Sequence, residues 1–141
     1  MVSLRATLDF MRANGLDAIV DAYAVHVYPW ANGPGDAKAA VGRERRLAQY
    51  VLPECRAAGS GQGKPCWITE WGFANPDRSC PAKDSNQVSL IKEMRMHFRP
   101  YAQDGRLQAL IYYAWIDDAE GFGIFRCGSF TESGRVALAP F

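Results

Sequence analysis

The sequence predicts an α/β fold, a parallel sheet covered by helices, and three observations predict it. Amphipathic helical patterns alternate with short apolar strands in the order α-β-α-β-α-β before a tail. The three strands begin about 40 residues apart, which leaves room for a right-handed helical crossover between parallel neighbours. The polar and aromatic residues of each strand collect at its carboxyl end, the edge where parallel α/β folds bind ligands. Carried eight times, a repeat of this length closes a (β/α)8 barrel. Such barrels take roughly 200 residues at least, and the sequence has 141. A small open sheet and the last part of a barrel both fit at this stage. With no linker-like or low-complexity segment, residues 1–141 are read as one domain or part of one.

The elements follow in order. Leu4, Leu8, Met11 and Leu16 recur at helical spacing, and Asn14-Gly15 supplies a stop. "AYAVHVYPW", Ala22 to Trp30, is rich in β-branched and aromatic residues and predicts a buried strand. "ANGPGD" is a loop, and a helix is expected from Asp36 to about Leu52. "GSGQGKP" is a turn before "CWITEWGF", the second strand. The loop "ANPDRSCPAKD" precedes a long helix from Asp84 to about Ala102. Its apolar stripe is Val88, Ile91, Met94, Phe98 and Tyr101, and Asp84 and Gln87 stand at capping-box spacing. "LQALIYYAWID" is the third strand, "DAEGFGIFRCG" a loop, and "TESGRVALAPF" a short helix or tail.

Composition narrows the function. Sixteen basic and fifteen acidic residues give a net charge of +1, with no basic stripe for nucleic acid. No apolar run is long enough for a membrane span, and "MVSLRATLDFMRANG" is amphipathic rather than a signal peptide. The aromatic fraction is 12%, which suits either a groove that stacks on sugar rings or an aromatic core. Cys55, Cys66, Cys80 and Cys127 fit two disulfides and match no zinc spacing, even with His26 and His97, so no metal is expected. Disulfides imply an exported parent protein.

The strand ends carry the candidate chemistry. Strict alternation places Cys66, Ile68 and Glu70 on one face, His26 with Tyr28, and Trp115 with Asp117. Taken singly, a core histidine, a packing tryptophan and a solvated strand-end carboxylate are ordinary. Three consecutive strands with the same layout favour a site. "VHVYPW", "PCWITEWGF" and "LIYYAWIDD", in this order, resemble strands six, seven and eight of the clan A glycoside hydrolases, the cellulase-like (β/α)8 enzymes. The resemblance runs from about Asp17 to Phe141. It implies a partial barrel of about three parallel strands, with Glu70 as the nucleophile of a retaining β-glycosidase and Tyr28 orienting it by a hydrogen bond. It also implies a sugar contact from Trp115 and matches His26 to the strand-six histidine; apart from the resemblance, Trp71 and Trp30 are candidate sugar-stacking rings and Asp117 a peripheral substrate contact at the mouth. The oxocarbenium-like transition state needs a carboxylate beside the anomeric carbon and a second carboxyl about 5 Å away as acid, then base.

The clan carries that acid/base glutamate after an asparagine, and this sequence contains no Asn-Glu pair. Little or no turnover is therefore expected of this chain alone. The implied ligand is an oligo- or polysaccharide of β-glucan or mannan type, with no organic cofactor. A part-barrel also exposes sheet edges, so a homo-oligomer or a complementing N-terminal barrel part is expected. Cys80 and Cys127 fall in loops on the mouth side, and Cys55 and Cys66 toward the opposite rim, so the expected pairs are Cys80–Cys127 and Cys55–Cys66. Two other readings stay open: a carbohydrate-binding or structural part-barrel without chemistry, and an unrelated small α/β ligand-binding domain. For the latter, "ANGPGD" after a strand is a weak signal, lacking GxGxxG order.

Overall fold

The computed structural model describes residues 4–27, 50–77, 79–116 and 121–141. Its elements are α1 (Leu4–Ala13), α2 (Leu16–Ile19), β1 (Tyr23–Val27), a 3-10 turn (Leu52–Glu54), β2 (Cys66–Trp71), α3 (Ser85–Gln103), β3 (Leu107–Tyr112), β4 (Phe125–Arg126), β5 (Ser129–Phe130) and α4 (Glu132–Leu138). The predicted second helix falls largely outside the described residues. Strands β1, β2 and β3 form one parallel sheet in that order, with β2 in the middle. The α/β class and the three parallel strands thus match the expectation. The tail, expected as loop and helix, also contains a small antiparallel hairpin of β4 and β5.

One face of the sheet carries the core. Tyr23 and Val27 of β1, Cys66, Ile68 and Trp71 of β2, and Leu107 and Tyr112 of β3 are buried. Ile91, Met94 and Phe98 of α3 join them, as the predicted stripe requires. Leu8 reaches this cluster from α1, whereas Met11 stays exposed, so the first helix is anchored along a narrower line than its pattern suggests. Asn14 and Gly15 do stop α1. Gly15 takes a left-handed φ of 88°, which L side chains rarely adopt.

The expected capping box at the start of α3 does not form. Asp84 stands at the N-cap without a side-chain bond to its own helix. Its carboxylate instead accepts from the Ser133 backbone N–H at 2.7 Å, tying α3 to α4. Gln87 is buried, and its amide donates to the Phe73 carbonyl at 2.6 Å and to the Tyr112 hydroxyl at 3.3 Å. Tertiary partners outbid the local cap because both side chains lie where chain segments converge. α4 has the cap its sequence allows: Thr131 Oγ1 accepts from Gly134 N–H at 3.0 Å.

Both expected disulfides are present. Cys55–Cys66 fastens the end of the 3-10 turn to the first residue of β2, at the rim where all three strands begin. Cys80–Cys127 spans 47 residues and fastens the loop after β2 to the β4–β5 turn at the opposite rim. Beside it, the buried Arg126 guanidinium donates to Gly123 O at 3.0 Å and Asp77 O at 2.8 Å, pinning the same two loops. Two disulfides are consistent with an extracellular protein. Among the described residues no helix is long and apolar enough to cross a membrane.

Gly72 follows β2 and lies against the segment just past β3. A Cβ there would stand 2.3 Å from the Tyr113 carbonyl oxygen, which is backbone and cannot swing aside. Gly72→Ala is expected to cost at least ~2 kcal/mol in urea unfolding, by overpacking; a cost under ~0.5 kcal/mol refutes that contact.

A polar network closes the rim where the strands begin. Tyr23 Oη donates to Asp17, Arg12 Nε donates to Tyr23 Oη at 2.9 Å, and Gly63 N–H donates to Asp17 Oδ2 at 2.9 Å. The hydrogen bond from Tyr23, ahead of that from Gly63 and the charge of Arg12, holds the Asp17 carboxyl below its ordinary range. A carboxyl lowered on folding stabilises the fold above about pH 4, and that stability drains as the pH falls through the folded value. Asp17→Asn should therefore flatten the dependence of the unfolding midpoint on pH below ~4; an unchanged slope refutes the assignment.

Candidate functional site

Glu70 sits next to last in β2, toward the carboxyl end of the sheet. Alternation alone would place it with Cys66 and Ile68 against the helices. The register corrects that expectation. Val25 pairs with Ile68 but His26 pairs with Glu70, so β2 holds one extra residue there. On the other side Ile68 pairs with Leu110 and Trp71 with Tyr112, the same extra residue seen from β3. Such a bulge breaks the two-residue period and re-aims the side chains after it. The Thr69 hydroxyl donates to the Val25 carbonyl at 3.2 Å within this irregularity. Cys66, Ile68 and Trp71 face the helices, while Trp67 and Glu70 lie toward the opposite, open face.

The bulge brings Glu70 to His26. His26 Nδ1 lies 3.3 Å from Glu70 Oε2, with side chains 57% and 35% exposed. Two of the predicted site residues therefore meet, on adjacent parallel strands, at the edge where such folds bind ligands. His26 is accordingly not a buried core histidine.

Trp71 does not join them. It is fully buried, with Phe98 edge-on at 5.3 Å and Tyr112 edge-on at 5.0 Å. Its expected sugar contact is thus corrected to a core role, since the side of β2 it occupies is the one α3 covers. Trp115, three residues past the end of β3, is 55% exposed. Its ring stacks parallel to Phe125 at 6.3 Å and meets Phe130 edge-on at 4.9 Å. The hairpin thus backs the indole, whose remaining surface is exposed. Tyr28, Trp30 and Asp117 lie outside the described residues.

Two features of the site escaped the sequence reading. Trp67 is 46% exposed on the open face, and its indole Nε1 donates to Gln108 Oε1 at 3.3 Å. Strand alternation within "CWIT" was the available signal, as Trp67 had to oppose Cys66 and Ile68. The Tyr112 hydroxyl accepts from Phe73 N–H at 3.2 Å and holds the chain just after the site. No sequence signal separated Tyr112 from Tyr113. Among the described residues no cluster of metal-ligating side chains occurs.

This layout separates chemistry from packing. An exposed pair such as His26–Glu70 contributes at most about 1 kcal/mol, whereas truncating a fully buried Trp costs about 3–5 kcal/mol. Glu70→Gln and His26→Ala should therefore move the urea stability by less than ~1 kcal/mol, with Trp71→Ala losing at least ~3. Equal losses from all three would refute the two-faced strand.

No family model, curated protein or solved structure matches this chain, so the reading of the site rests on its own geometry.

Proposed function

We propose that this chain is the part of a (β/α)8 glycoside hydrolase barrel that carries strands six to eight, with Glu70 as the nucleophile of a retaining β-glycosidase site. One observation carries the reading: a carboxyl on the middle strand, near its carboxyl end, lies on the open face beside a histidine of the neighbouring strand. In the proposed reaction a Glu70 oxygen attacks the anomeric carbon and forms a glycosyl ester. The bond to the leaving oxygen breaks, and that oxygen takes a proton from a second carboxyl. Water deprotonated by the same carboxyl then attacks the anomeric carbon and releases Glu70. Trp115 offers a flat apolar surface for a pyranose ring, and Tyr28 is assigned to orient the nucleophile. The substrate class is a β-glucan or mannan type saccharide.

The proton donor must come from outside the residues assigned here, because the sequence has no Asn-Glu pair. General-acid assistance is worth roughly 10²–10⁴-fold, so the chain alone hydrolyses ordinary oligosaccharides slowly or not at all. A dinitrophenolate leaving group needs no proton and isolates the role of Glu70. Treatment with dinitrophenyl 2-deoxy-2-fluoro-β-glucoside or mannoside should leave a fluoroglycosyl ester on the Glu70 peptide, read by mass spectrometry, and none on the Glu70→Gln chain. No ester at Glu70, or the same ester on another carboxylate, overturns the reading.

A further inference from the structure

We infer that the two disulfides serve different ends: Cys80–Cys127 is a redox latch that a dithiol opens in the folded chain, while Cys55–Cys66 is a fixed strut. Cys80 and Cys127 are both exposed, whereas Cys55 and Cys66 lie in the core at 0% and 1% exposure. Thiol–disulfide exchange needs a thiolate to reach a disulfide sulfur. The first pair offers that access in the native fold, and the second only after the core opens. The exchange balances as follows. A thiolate of the dithiol attacks one sulfur of the bridge, forms a mixed disulfide and releases the other cysteine. The dithiol's second sulfur then closes a ring and releases the first cysteine. The dithiol is oxidised to a cyclic disulfide, and its two electrons and two protons leave Cys80 and Cys127 as thiols.

The turn that carries Cys127 gives the latch something to release. Arg126 pairs with Ser129, so Cys127 and Gly128 are the two central residues of the β4–β5 turn. Their φ values are 52° and 76°. Two left-handed residues in succession make the type I′ pattern, whose first central position favours Asn, Asp or Gly. Among the described residues Cys127 alone takes a positive φ without being glycine, and a Cβ makes that conformation unfavourable. The bridge to Cys80 holds Cys127 there, and reduction lets the turn relax. Phe125 and Phe130, on either side of the turn, are the rings that back Trp115. The loops behind it stay tied without the bridge: Asn75 N–H donates to Gly121 O at 2.9 Å and the Arg126 guanidinium to Asp77 O at 2.8 Å. The release is therefore confined to the hairpin and the chain around Cys80. The inference goes beyond the sugar chemistry and does not rest on it.

Dithiothreitol added to the intact chain in native buffer, followed by iodoacetamide and peptide mass spectrometry, tests the access. Cys80 and Cys127 should be alkylated at least ~tenfold faster than Cys55 and Cys66. Equal rates, the reverse order, or no reaction at Cys80 and Cys127 overturn the inference. Hydrogen exchange tests the release. With Cys80→Ser and Cys127→Ser together, the β4–β5 hairpin should exchange at least ~tenfold faster than in the native chain, while the amides of α3 keep their protection. With Cys80→Ser and Cys127→Asn, the hairpin should exchange at least ~threefold more slowly than in the double serine variant, because asparagine suits the left-handed turn. An unchanged hairpin, lost protection in α3, or an asparagine no better than serine overturns the latch.

Discussion

The extra residue between Ile68 and Trp71 is the constraint on which the rest depends. A strand side chain has two choices of face, and a single inserted residue exchanges them. Without the bulge, Glu70 would follow Cys66 and Ile68 into the layer occupied by Met94 and Phe98, and Trp71 would turn outward. A carboxyl there would lose its hydration with little to replace it. With the bulge, the strand buries Trp71 and presents Glu70, one residue earlier, beside His26. Packing and candidate chemistry are thus decided by the same local irregularity.

The helix side holds that irregularity in place. Trp71 is gripped edge-on by Phe98 and Tyr112. The chain just beyond it is tied by Gln87 and the Tyr112 hydroxyl to Phe73. Gly72 lets β2 and the segment after β3 approach more closely than any side chain would permit. The disulfides act at the two rims: Cys55–Cys66 where the strands begin, and Cys80–Cys127 where the loops gather beyond their ends. The middle strand is therefore fixed at both ends and along one face, which leaves its other face to present side chains rather than to support the fold.

That other face explains why the sheet combines a polar pair with exposed apolar groups. Parallel sheets ordinarily have both faces covered. Here α3 covers one, while among the described residues Trp67 and Ile111 are exposed, as is His26, with Glu70 partly so. Inward-facing strand residues of a closed barrel have this mixture, apolar below and polar at the mouth.

The sequence alone determined the alternation of helices and strands, the parallel order and the apolar stripe of α3. It also determined that four cysteines could close two bridges and that Glu70 and His26 stand at strand ends. These follow from local periodicity and from crossover lengths, which any chain reports about itself. Periodicity could not report the bulge, because an inserted residue in a strand leaves no mark in the pattern. Strict alternation therefore wrongly grouped Glu70 with Cys66 and Ile68, and Trp71, expected at the sugar, is buried in the core. Nor could it foresee that Asp84 and Gln87 would give up a local cap for Ser133 and Phe73, partners 49 and 14 residues away. Which side of a strand is buried, and which partner a polar side chain finds, are settled only when distant segments meet. Tertiary contacts of several kcal/mol outweigh local preferences of about one.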